Sequence, residues 1–231
     1  MLVEPLRKGM TMSSENKTKV TAKIIRERVG SDLHRILVVG CGSGIEAAIL
    51  AQELKAKVFG IDINPSFDPI AAKKADLREG DATSLEFVDE YFDFVYSYHV
   101  LEHIPNFRKA LFEIRRVLIK GGAYFIGTPN RLRLFSYILI KTTPLSKKIK
   151  WNLSDWKSRI KGKFRNEYGA HAGFSSHELQ VELKNVFNSA EEVTVPYYLE
   201  SYPRYAHLIR FLDKSGLGKF LFPSVYFFGR K

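Results

Sequence analysis

Three glycines at alternate positions, Gly40, Gly42 and Gly44, sit in VVGCGSGIEAAIL (38–50) between a short apolar run and a helical one. Glycines at that density leave backbone N–H groups uncovered at a helix N-terminus, where an anionic or polar ligand group can bind. Asp62 ends the next apolar run, about 20 residues past the loop, where a carboxylate can accept both hydroxyls of a ribose. Asp81, in Gly80-Asp81-Ala82, follows the third run and could accept from an adenine amino group. A lone aspartate at such a place is usually a solvated turn carboxylate; several at successive strand ends describe a nucleoside site. A dinucleotide fingerprint would need a third glycine where Ile45 stands, which weighs against a nicotinamide cofactor. A histidine side chain ordinarily titrates near neutrality, which makes His99 and His171 candidate general bases, although a hydrogen-bonded loop histidine is the commoner case for each. Cys41 lies within the glycine loop, away from where an acceptor would sit, so a cysteine-adduct route is closed.

These groups must be held by regular elements, and the elements can be read. RILVV, AKVFGIDIN, ADLREGDA, FDFVYSYHV and AYFIGTP read as strands, and VYFFGRK as a last one. GIEAAILAQEL, NFRKALFEIRRVL and FSSHELQVELKNVF read as helices, the second stopped by Gly121-Gly122 and the third capped by Ser175 or Ser176. Alternation of strands and helices implies a parallel sheet covered on both faces, with ligands at the carboxyl ends of its strands. Residues 1–30 read as an arm ending in a helix, with Ser14 as N-cap and Gly30 as stop. Residues 31–231 read as one domain interrupted by an insertion over 131–170.

The ordered set VVGCGSG, GIDIN, GDA, HVLEHIPN, EIRRVLIKGG and GTPN resembles the class I S-adenosylmethionine-dependent methyltransferases, in the type 11, ubiquinone-biosynthesis-like branch. The resemblance covers residues 36–130, with weaker support from HAGFSSHEL. It implies a Rossmann-like α/β fold: a seven-stranded, mostly parallel sheet with helices on both faces, the last strand antiparallel, and a basic lid inserted after strand five. It implies S-adenosyl-L-methionine as cofactor and no metal. Gly40, Cys41, Gly42 and Gly44 would pass beneath the methionine portion. Asp62 would bind the ribose, Ile63 would pack on the adenine, and Asp81 and Ala82 would take its polar edge. Backbone near Ser97 and Tyr98 would flank the methionyl group. Glu102 and His103 match the pair the family carries after strand four and are read as mainly structural. The family commonly has an acid two residues before the first glycine; here that residue is Val38, which leaves Glu46 or main-chain carbonyls to substitute.

The 231 residues carry a net charge of +11, 45% hydrophobic residues and one cysteine. No internal disulfide can form, which suits a cytoplasmic setting, and the longest apolar run, LFSYILI (134–140), is too short to span a bilayer. Residues 131–170 hold eleven basic residues against Asp155 and Glu167, interleaved with Phe135, Tyr137, Trp151, Trp156 and Phe164. So concentrated a charge implies an anionic partner. The expected acceptor is a small-molecule, lipid-like or glycan intermediate methylated on O, N or C. Peripheral contact with an anionic membrane through 131–165 is expected beside it, Tyr98 and Tyr168 are candidate pocket walls, and no obligate protein partner is inferred. The alternatives are an RNA methyltransferase, which the YSYHV end of strand four makes less favourable for base methylation, and a catalytically silent cofactor-binding scaffold.

Overall fold

The computed structural model describes residues 4–30, 32–136, 144–168 and 171–231; for residues 4–14 and 168 only the backbone is described. Five strands, β1 (Arg35–Val39), β2 (Lys57–Asp62), β3 (Asp76–Glu79), β4 (Phe92–Tyr98) and β5 (Leu118–Pro129), run parallel. They are extended by β6 (Glu191–Glu192) and β7 (Ser224–Arg230), with β7 antiparallel to both β5 and β6. The order β3-β2-β1-β4-β5-β7-β6 is the seven-stranded α/β sheet expected from the sequence. Between β1 and β4 the chain reverses its direction of travel across the sheet. Their carboxyl ends therefore leave a crevice, and this is where open α/β folds bind ligands.

Each inner strand is buried on both faces, which is why the strands read as continuous apolar runs rather than alternating ones. Along β1, Leu37 and Val39 join a core on one face with Phe59, Leu111 and Phe174. Ile36 and Val38 join a second core on the other face with Ile25, Leu50, Phe94 and Phe125. The first core is covered by α3 (Phe107–Val117) and α5 (Ser176–Val186), the second by α1 (Glu4–Val29), α2 (Ile45–Leu54), α6 (Thr194–Ser201) and α7 (Ala206–Lys214). The short α8 (Gly218–Leu221) leads into β7.

Some boundaries differ from the sequence expectation. α1 runs straight through Ser14, which is therefore not its N-cap; Gly30 does stop it, at φ 90° with its N–H on the Arg26 carbonyl. α3 starts at Asn106, whose side chain caps Lys109 N, but ends at Val117 rather than at Gly121-Gly122. Leu118 already belongs to β5, and Gly121, at φ 75°, turns the strand within its own length near the register shift opposite Phe92 and Phe94. The α5 cap is Ser175, in a reciprocal capping box with Glu178. The segment before the last strand is three helices, whose Tyr197, Tyr198, Ile209 and Phe222 fill the second core. In the insertion, α4 (Leu145–Ile160) is the regular element; Tyr137 and the end of LFSYILI lie outside the described residues.

Candidate active site

The glycine loop joins β1 to α2 with Gly40, Gly42 and Gly44 all at positive φ (70°, 53° and 83°), a region other residues rarely enter. A Cβ at Gly40 would lie 2.1 Å from Val100 Cγ2, so the loop and the segment after β4 are packed as close as a bare backbone permits. At Gly42 nothing lies within 4 Å of the same position. No side chain caps the first turn of α2. The loop thus presents open main chain at an uncapped helix N-terminus, a cradle for a polar ligand group.

Asp62 closes this cradle from β2. Its Oδ2 accepts from Gly42 N at 2.8 Å and its Oδ1 from Asn64 N at 3.0 Å; each oxygen keeps lone pairs for further donors. Ile63, next in the chain, is 76% exposed, an aliphatic surface left open at the strand end. Asp81 is held by Thr83, whose N and Oγ1 donate at 2.7 and 2.9 Å and hold its carboxyl below the usual carboxylate range. Ala82 behind it is buried. Ser97, near the end of β4, is buried with its Oγ lacking a partner among the described residues. Burial, and then Asp62, push the Cys41 thiol up to about 12, so it is inert at neutral pH.

Val38 points into the second core, so no carboxylate arises from the usual position. Glu46, in the first turn of α2, brings one instead: the hydroxyl of buried Tyr96 donates to its Oε2 at 3.2 Å. Lys17 of α1 faces the same carboxylate, and its own pKa is lowered by burial against the pull of Glu46.

On the far side of β4 the chain gathers three of its six histidines. His99 is held at φ 56°. Its Nε2 lies 3.1 Å from Ser224 Oγ, and its ring packs on Tyr98 at 4.2 Å. Burial, with the charges of Lys17 and Arg133, lowers its pKa, so the imidazole is neutral at pH 7. Tyr98 stacks in turn on Tyr226. Glu102, whose side chain is 1% exposed, sits between His99 Nδ1 and His103 Nε2, each 4.0 Å from its Oε1. Thr128 Oγ1 donates to its Oε2 at 3.2 Å, while Oε1 has no hydrogen-bond partner among the described residues. Desolvation raises its pKa to about 7. The His103 ring meets that of His171 edge-on at 4.5 Å. His171 is at φ 44°, and its carbonyl accepts from the buried Arg133 guanidinium at 3.0 Å. The two histidines expected as bases are therefore brought into one cluster, joined through Glu102 and His103. The spacing His99, Glu102, His103 across one turn was the available signal; that Glu102 would be buried was not readable from it.

Residues 37–126 match the family described as Methyltransferase domain. This stretch carries the class I S-adenosylmethionine-dependent methyltransferase domain of the type 11 branch. The chain is 27% identical over 192 residues to a ubiquinone biosynthesis O-methyltransferase of Pseudomonas fluorescens, covering 77% of this chain and 82% of that one. A methyltransferase relative from Mycolicibacterium smegmatis is 31% identical over 100 residues, 42% of this chain, and the match spans only 38% of that protein's length. The fold is shared with phosphoethanolamine N-methyltransferase 2 of Haemonchus contortus, solved with S-adenosyl-L-methionine (TM-score 0.56, 19% identity, 91% of this chain and 52% of that one). The open loop at Gly42, the uncapped α2 and the partnerless Ser97 Oγ fit the polar ends of that cofactor. Asp62 pins the loop through Gly42 N, and the resemblance assigns it the sugar hydroxyls; replacing it by Ala is expected to weaken S-adenosylmethionine binding by about 1–3 kcal/mol, roughly 5–150-fold. Isothermal titration calorimetry measures this; an unchanged Kd would place the sugar elsewhere.

Proposed function

We propose that the protein transfers a methyl group to an oxygen, nitrogen or carbon of a lipid-like or other small acceptor, with the Glu102 cluster taking up the acceptor's proton. The buried Glu102 carboxyl, shared between His99 and His103 at the carboxyl ends of the strands, carries this reading. The residues that would hold the cofactor are the loop from Gly40 to Gly44, with Glu46 toward its amino-acid end, Asp62 at the ribose, Ile63, Asp81 and Ala82 at the base, and Ser97 and Tyr98 at the methionyl group. The bound cofactor supplies an activated methyl on sulfur.

What the protein must add is alignment, exclusion of water and a place for one proton. Tyr98 and Tyr226 form an apolar wall beside His99, and the insertion carrying α4 serves as the lid over the acceptor. When bound, the cofactor would offer its methyl carbon to the acceptor's lone pair, with the sulfur as leaving group; the acceptor's proton passes to the neutral imidazole of His99. The imidazolium that results faces Glu102, which is ionised above about pH 7 and stabilises it at that separation. His171 closes the cluster through His103.

The test is methyl transfer from labelled S-adenosylmethionine to catechols and quinols of increasing chain length, with bulk RNA alongside. Label in the small acceptors is the expected result. Label confined to RNA, or cofactor binding with no transfer to any acceptor, would overturn it.

A further inference from the structure

The helix α4 has no buried residue. At about 100° per residue, Leu145, Ile149, Leu153, Trp156 and Ile160 fall within about 80° of one another around its axis. This is a single apolar stripe, and it does not face the protein: Leu145 is 72% exposed, Leu153 63% and Ile160 88%. The helix is docked instead through its polar side. Asn152 exchanges hydrogen bonds with the backbone of Ser136, Asp155 lies 3.8 Å from the Arg133 guanidinium, and Arg159 donates to the Arg133 carbonyl. Trp156 Nε1 is tied to the Leu134 carbonyl at 2.8 Å, which fixes the indole beside Phe135 at the edge of the stripe. A groove of about 390 Å³ lies between these rings and the aliphatic side chains. Lys147, Lys150, Lys157 and Lys161 occupy the flank turned away from the polar contacts, in a segment (131–170) of net charge +9.

We propose that α4 lies in the surface of an anionic bilayer, with the stripe in the acyl boundary and the flanking lysines among the headgroups. The combination of an outward apolar stripe with cations on the adjoining face is what an interfacial helix requires. Nucleic acid would put its phosphates on the lysines but leaves Leu145, Ile149, Leu153 and Ile160 with nothing to bury against, since aliphatic side chains make no stacking platform. A second copy of the chain would bring two strongly basic segments together. No described helix is long and apolar enough to cross the membrane, so α4 rests on the surface. The proposal deepens the acceptor reading and rests on it for its purpose: a lipid-like acceptor is collected where it is dissolved.

Flotation with vesicles of phosphatidylcholine, with and without phosphatidylglycerol, tests this. The protein is expected to float with the anionic vesicles and stay behind with the neutral ones. Ile149→Asp with Leu153→Asp should cut the bound-to-free ratio roughly tenfold or more, and Lys147→Gln with Lys150→Gln and Lys157→Gln should lower it and weaken its salt dependence. Both variants should keep wild-type calorimetric affinity for S-adenosylmethionine, which shows that they are folded. Equal flotation of wild type and the Asp variant, or retention on RNA with none on vesicles, would overturn the proposal. Failure of transfer to every small acceptor, with flotation intact, would instead remove the acceptor reading and leave the docking surface standing.

Discussion

Arg133→Ala is expected to lower the unfolding free energy by about 3–5 kcal/mol, the range for removing one partner from a buried ionic network. The guanidinium is 4% exposed and satisfies four acceptors at once: Ser136 Oγ at 2.6 Å, and the carbonyls of Asn130, Ala172 and His171 at 2.9–3.0 Å. It also faces Asp155 and lies over the Phe164 ring at 5.3 Å. Alanine would leave the Ala172 and His171 carbonyls without this donor, the Asn130 carbonyl with only the backbone N–H of residue 133, and the Asp155 carboxylate without its nearest guanidinium, each at a desolvation cost. Arg133→Lys should recover little, because one ammonium cannot reproduce a planar fork aimed at three carbonyls. Chemical denaturation monitored by circular dichroism measures the loss; a change below about 1 kcal/mol would mean that the network is incidental. The same side chain ties the strand-five exit to His171, so the variant is also expected to raise KM for the acceptor.

Glu102→Gln is expected to move stability and activity in opposite directions. The carboxyl has a folded pKa of about 7 against an ordinary value of 4.5. Below the ordinary value both folded and unfolded states hold the proton, and the group contributes no pH-dependent penalty. As pH rises from there to about 7, the unfolded chain ionises first, so stability falls; above it the full penalty, on the order of 3 kcal/mol, is present. The amide cannot ionise, so the variant should be more stable than wild type at about pH 8 by an amount of that order and nearly equal at about pH 4. Its kcat should fall by roughly 10²–10⁴, the span for loss of acid–base assistance, and the rising limb of kcat/KM near neutrality should disappear. Thermal melts across pH and initial rates across pH check the two halves independently. Stability gained with a normal rate profile would make Glu102 a structural group only.

The sheet and the cofactor loop were legible because local chemistry dictates them. A strand buried on both faces must be apolar throughout, a turn as tight as Gly40 must be glycine, and an acid that caps the loop must fall at the end of the next strand. β6 was not legible, since two residues paired on one edge leave no periodic signal. Ser14 misled because cap propensity is a local preference, and α1 continues through it. Gly121-Gly122 misled in the opposite way: glycine can bend a strand as well as end a helix. Glu46 is held by a hydrogen bond from Tyr96 fifty residues away, a pairing that only the folded sheet creates. Burial of Glu102 and the outward face of α4 are likewise properties of packing, which a list of charges along the chain does not contain.

Both tryptophans of the protein, Trp151 and Trp156, belong to α4. Excited beyond the absorption of its eleven tyrosines, the molecule therefore emits light from that one helix alone. Its natural fluorescence is a reporter already installed at the basic segment, able to follow the polarity around that helix in real time without any label.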